Sequence, residues 1–190
     1  MYQYLNVNPE NKRVRDCVKR AITLVAEMDY HQVQLELNRY KKVTGAKYYN
    51  SDYNPHKYCE NVLKMEKLSF PAKRGVPRMN GERFCTSYPK GRYILNMAGH
   101  WSACVDGVIY DTWDCSEKCV YTAYKMRTAE EIVKFIEIEE KIKKDKQVFK
   151  EKQKKIKEKY ATKIKPLQKK IKELEKQMAK ELEILGKEVA

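Results

Sequence analysis

From residue 16 the apolar residues Val18, Ala21, Ile22, Val25 and Ala26 recur at helical spacing. That pattern predicts a helix to about Met28, with Asp16 as its cap. Asp29 opens a second helix with Val33, Leu35, Leu37 and Tyr40 on or near one face, and Gly45 stops it. A third helix is expected over 58–68, from Val62, Leu63 and Met65. Between and around these, residues 1–15 are polar and hold Asn8-Pro9, a strand or loop lead-in. Residues 46–57 form a loop rich in Tyr, Asn and Asp. Residues 69–81 hold Pro71, Gly75, Pro77 and Gly81 and read as a connecting loop.

The period then shortens to that of strands. Residues 93–97 are a short apolar run, and 100–105 follow directly after Gly99. Asp106-Gly107 is a two-residue hairpin signal, which makes 108–113 the return strand. A fourth strand is expected over 119–124. Helices first and an antiparallel sheet second is an α+β order.

Beyond residue 127 the character of the chain changes. Residues 128–190 contain 19 Lys but no Trp or Cys, and one Tyr, one Gly and one Pro. Such a segment cannot bury a globular core, so the chain divides into a folded domain, 1–127, and a basic helical arm, 128–190. Thr128 and Glu131 have the spacing of a capping box at the arm's start. Tyr160, Ile164, Leu167, Ile171, Leu174 and Met178 form a heptad seam with Ile at a and Leu at d. That choice favours a parallel two-stranded coiled coil. Phe135, Ile142, Phe149 and Ile156 also repeat every seven residues, in a register offset by a stutter. Pro166 interrupts the pattern and implies either a kinked helix or a turn into a hairpin.

The net charge is +14. Residues 1–127 carry 21 basic and 13 acidic groups, and 128–190 carry 19 and 13. Because Lys and Glu interleave along the arm, a solvated helix explains its charge better than a nucleic-acid surface does. No run is long and apolar enough to span a bilayer or to act as a signal peptide. Six Cys in such a chain are expected to be reduced thiols in a cytoplasm. Cys115 and Cys119 lack a second ligand pair, so no metal and no cofactor is expected.

Three residues stand out as chemistry. Cys17 lies in the first turn of a helix, where backbone N–H groups and the dipole lower a thiol's pKa. His100 opens a strand after Gly99, a rigid position for a general base. If Asp106-Gly107 is the turn, Val105 faces Val108 and His100 falls opposite Trp113. Side chains alternate along a strand, so Asp111 shares the face of His100 as its diagonal neighbour. Asp111 is therefore the candidate to orient the imidazole, with Asp114 in reserve.

The string Asp16-Cys17-Val18-Lys19-Arg20-Ala21-Ile22, then Gly99-His100, then Asp106-Gly107 through Asp111-Thr112-Trp113-Asp114 resembles the papain-like cysteine peptidases. The likeness is nearest to small members from bacteriophages of Gram-positive bacteria and their hosts, and it covers about residues 5–125. The resemblance implies a papain-like core, a Cys17–His100–Asp111 triad, and an amide side chain completing the oxyanion hole. No Gln precedes Cys17, so Asn8 and Asn11 are the candidates for that role. The resulting expectation is a cysteine peptidase or amidase acting on a protein or peptide. The arm serves assembly or targeting, through self-association or a partner helix. A structural or virion protein that kept the fold without catalysis is the alternative, and nucleic-acid binding through the arm ranks third.

Overall fold

In the computed structural model the chain is described except at residues 13, 51, 52, 189 and 190, with the side chains of 183–188 also excluded. The part of the expected 46–57 loop at 51–52 therefore lies outside the described residues, as do residue 13 of the lead-in and the last two residues of the arm. The chain separates into two compact units, Met1–Ile132 and Val133–Ala190.

The first unit is mixed α/β, built on a six-stranded sheet. In chain order its elements are β1 (Tyr2–Tyr4), α1 (Cys17–Ala26), α2 (Tyr30–Thr44), α3 (Asn54–Asn61), β2 (Glu66–Ser69), α4 (Gly81–Ser87), β3 (Arg92–Met97), β4 (His100–Val105), β5 (Val108–Asp111) and β6 (Val120–Lys125). The strands lie in the order β1-β5-β4-β3-β6-β2. Only β1 runs parallel to its neighbour, pairing Tyr4 with Asp111. The β4–β5 hairpin has the register read from the sequence, with Val105 opposite Val108. Both turn residues, Asp106 and Gly107, adopt positive φ (48° and 74°), as a hairpin of this hand requires.

Alternation along the strands divides the core into two layers. Ile94, Trp101, Ala103 and Tyr124 pack with Val18, Ala21, Ile22 and Val25 of α1 and with Val33, Leu37, Tyr58 and Cys59. Tyr93, Leu95, Met97, Cys104 and Ile109 pack with Phe84 and Cys85 of α4 and with Cys115. At the start of α4, a Cβ on Gly81 would sit 2.7 Å from Ile109 Cδ1 and 2.9 Å from Met97 Cε, so the helix approaches the sheet only because no side chain intervenes.

Several expectations are corrected. The third helix starts earlier, because Pro55 fits the first helical turn. It stops at Asn61, and Lys64 at φ 53° turns the chain into β2. That strand adds to the edge of β6, where Glu66 to Ser69 alternate between half-buried and exposed. α4 was not anticipated at all; Asn80 caps it by accepting from Arg83 N at 2.9 Å. Asp16 occupies the N-cap position of α1, but its side chain does not cap the helix. Asp29 does cap α2, accepting from His31 N and Gln32 N, and Gly45 ends it with φ 72°.

α5 (Ala129–Glu188) runs without a break through Pro166, so the chain does not turn into a hairpin there. Its capping box is reciprocal: Thr128 N donates to Glu131 Oε2 at 2.9 Å, and Glu131 N to Thr128 Oγ1 at 3.2 Å. No helix among the described residues is long and apolar enough to cross a membrane.

Candidate active site

α1 begins at Cys17 and packs across β3 and β4, which carries the thiol to the end of β4 where His100 begins. There the His100 imidazole acts on the Cys17 thiol and favours its ionised form. His100 Nε2 is 2.7 Å from Asp111 Oδ2. The hairpin register thus delivers Asp111 to His100, as the alternation of side chains requires.

The electrostatics favour an ion pair. Burial pushes the Cys17 thiol up, but this is outweighed by His100 and by the backbone N–H groups of Trp101 and Val18, and the net shift is downward. The Val18 contribution is that of a helix N-terminus holding a thiolate. Burial pulls His100 down, yet hydrogen bonds to Asp111, Cys115 and Cys17 prevail and raise it to about 11. Burial likewise opposes ionisation of Asp111, and the imidazole with the Thr112 N–H (2.7 Å) holds its carboxyl below the ordinary range. A thiol shifted toward its thiolate beside an imidazole shifted toward its cation, with a buried carboxylate behind, has the chemistry for sulfur to attack a carbonyl and the ring to return the proton.

Arg20 was not singled out from the sequence, and it ties the site together. Its guanidinium ion-pairs with Asp16 one helical turn earlier and reaches Asp111 Oδ1 at 3.2 Å and Thr112 Oγ1 at 3.3 Å. Asp16 and Asp111 are 2 % and 3 % exposed, so this one cation serves two buried carboxylates. Asp16 also accepts from Tyr30 OH at 2.5 Å. The i, i+4 spacing of Asp16 and Arg20 was the available signal. Cys115 is the second residue missed: it is buried, with Sγ 3.9 Å from Asp111 Oδ2.

The other candidates fall elsewhere. Asp114 is exposed and accepts from Ser116 N at 3.0 Å, a local turn rather than a partner for His100. The Asn8 amide is spent on Asp16 Oδ2 (3.1 Å) and the Lys12 carbonyl (3.4 Å), so it is not free to serve an oxyanion. Asn11 lines the cleft beside Cys17, where its Oδ1 accepts from Asn6 Nδ2 at 2.8 Å. Trp113 is half-exposed, its ring 5.1 Å from that of His100. His56 packs edge-on against Trp101 and bonds Tyr124 OH at 2.6 Å, a core role.

Cys17 and His100 open onto a cleft of about 1260 Å³, whose other walls include Asn6, Asn11, Arg15, Asn96, Trp113 and Tyr121. Among the described residues, one cluster has metal-ligand chemistry. The donor atoms of His100, Asp111 and Cys115 lie within 4.8 Å of one another. In the present geometry those atoms face each other as hydrogen-bond partners. Cys119 is half-buried and takes no part in the cluster.

Comparisons with protein-family models, with curated proteins and with solved structures return no match.

Proposed function

We propose that the first unit is a papain-like thiol hydrolase that cleaves a peptide or related amide bond. The observation that carries this reading is the succession of Cys17 and His100 at the cleft and Asp111 buried behind them, with the thiol pulled down and the imidazole raised. The Cys17 thiolate attacks the carbonyl carbon and forms a C–S bond. The negative charge moves to the oxygen, beside the N–H groups at the start of α1. His100 gives its proton to the departing amine as the C–N bond breaks, leaving a thioester. Water, deprotonated by the now neutral His100, attacks the thioester, and the carboxylic acid leaves with Cys17 as thiolate again. Asp111 holds the ring in place and stabilises its charged form. Asn6, Asn11, Asn50 and Asn96 line the cleft, and of these we assign Asn11 to assist the oxyanion, because the Asn8 amide is bonded to Asp16 and Lys12.

Two measurements test the proposal. The rate of iodoacetamide labelling at neutral pH, mapped by peptide, should single out Cys17 among the six thiols. Hydrolysis of a mixture of fluorogenic peptide amides should disappear in Cys17→Ala. A Cys17 that labels no faster than free glutathione would sink the reading.

A further inference from the structure

The second unit is a helix that carries a row of exposed apolar residues over 160–178. Tyr160, Ile164, Leu167, Ile171, Leu174 and Met178 are between 46 and 60 % exposed. They fall in one seam at alternating spacings of four and three. Seven does not match two turns of a straight helix, so a strict heptad repeat stays on one side only if the helix winds around a partner.

The residues flanking the seam identify the partner. With Ile164 and Ile171 at a and Leu167 and Leu174 at d, the g positions are Lys163, Lys170 and Gln177, and the e positions between them are Gln168 and Glu175. In a parallel pair each g faces the e of the following heptad on the other chain. Lys170 then meets Glu175 and Lys163 meets Gln168, with each contact occurring twice by symmetry and no like charges opposed. In an antiparallel pair g faces g, which sets Lys163 and Lys170 of one chain against those of the other. Ile at a with Leu at d selects two strands over three or four. Pro166 occupies a c position, on the outer side, so it disturbs its own helix backbone and not the seam.

We infer that this seam docks a second copy of the same chain, as an in-register parallel two-stranded coiled coil over 160–178. The inference does not depend on the catalytic reading. Its test is sedimentation velocity of the full chain carrying Cys17→Ala, at concentrations up to about 50 µM. A dimer is expected, and Ile171→Asp should convert it to a monomer whose tryptophan fluorescence remains native. Lys170→Glu should raise the dimer dissociation constant about tenfold, and adding Glu175→Lys should restore it. A wild-type monomer throughout that range overturns the inference, whatever the variants do. A trimer or tetramer overturns the two-stranded pairing. A tighter dimer in Lys170→Glu overturns the parallel orientation.

Discussion

Arg20 is the residue whose loss should be felt most widely. Replacing it with Met keeps much of the side-chain volume but removes the cation shared by Asp16 and Asp111. The Arg20 side chain is only 12 % exposed, and the carboxylates it serves 2 % and 3 %. Solvent therefore screens little of the interaction. Removing one member of a buried ion pair typically costs about 3–5 kcal/mol, because the partner charge stays behind. Against a total stability of about 5–15 kcal/mol for an ordinary domain, that is a large fraction. Urea unfolding followed by the fluorescence of Trp101 and Trp113 reads the globular unit alone, since the arm contains no tryptophan. Arg20→Met should lower the unfolding free energy by about 3–5 kcal/mol. Adding Asp16→Asn, which removes one stranded charge, should recover at least about 1 kcal/mol of it. Asp111 would also lose a contact that fixes its Oδ1, so the labelling rate of Cys17 should fall by about tenfold or more. Arg20→Lys should fall between, because an ammonium cannot present a planar fork to two carboxylates. An Arg20→Met protein with unchanged midpoint and a labelling rate within about twofold of wild type would refute the argument that this cation organises the site.

Four further outcomes follow from the geometry. The labelling rate of Cys17 against pH should begin to rise well below the ordinary thiol range, because its pKa is lowered; His100→Ala should shift that rise upward. Asp111→Asn should cut peptide hydrolysis by about 10²-fold or more, whereas Asp114→Asn should leave it unchanged. Asp111→Asn should also flatten the acid side of the stability profile. A carboxyl whose folded pKa is depressed adds stability above its unfolded pKa and loses it as pH falls through the folded value. Gly81→Ala should destabilise the globular unit by about 1–3 kcal/mol in the same urea assay, since its Cβ would press on Ile109 and Met97.

The hairpin was legible in the sequence because it is local. Asp106-Gly107 dictates the turn, the turn dictates the register, and the register dictates that Asp111 rather than Asp114 meets His100. The same held for α2, whose Asp29 and Gly45 bracket it chemically. What escaped was long-range. Arg20 is an ordinary helical arginine until β5 is placed beside α1, more than ninety residues away in sequence. Cys115 reads as half of a Cys pair until the segment after β5 brings it under Asp111. Asn8 matched an oxyanion role by spacing, but a buried carboxylate at Asp16 needed its amide more. β2 and α4 were lost because short elements carry little periodicity, and one strand of four residues is defined by its neighbour β6 rather than by its own pattern.

The first strand has a consequence for how the chain acquires its chemistry. Tyr2, Gln3 and Tyr4 pair with Ile109, Tyr110 and Asp111, and Leu5 N donates to the Asp111 carbonyl at 2.9 Å. Residues 2–4, made before the rest of the globular unit, thus wait for nearly all of it before they find their partner. Such non-local pairing is slow to form. Cys17 likewise lacks its imidazole until β4 has been made, and the imidazole lacks its carboxylate until β5 has. On the ribosome, a nascent chain of this protein would carry Cys17 without His100 and Asp111 until β5 has been made. On the hydrolase reading we propose, Cys17 would gain its reactivity only as the sheet closes along β5, so folding itself would time it.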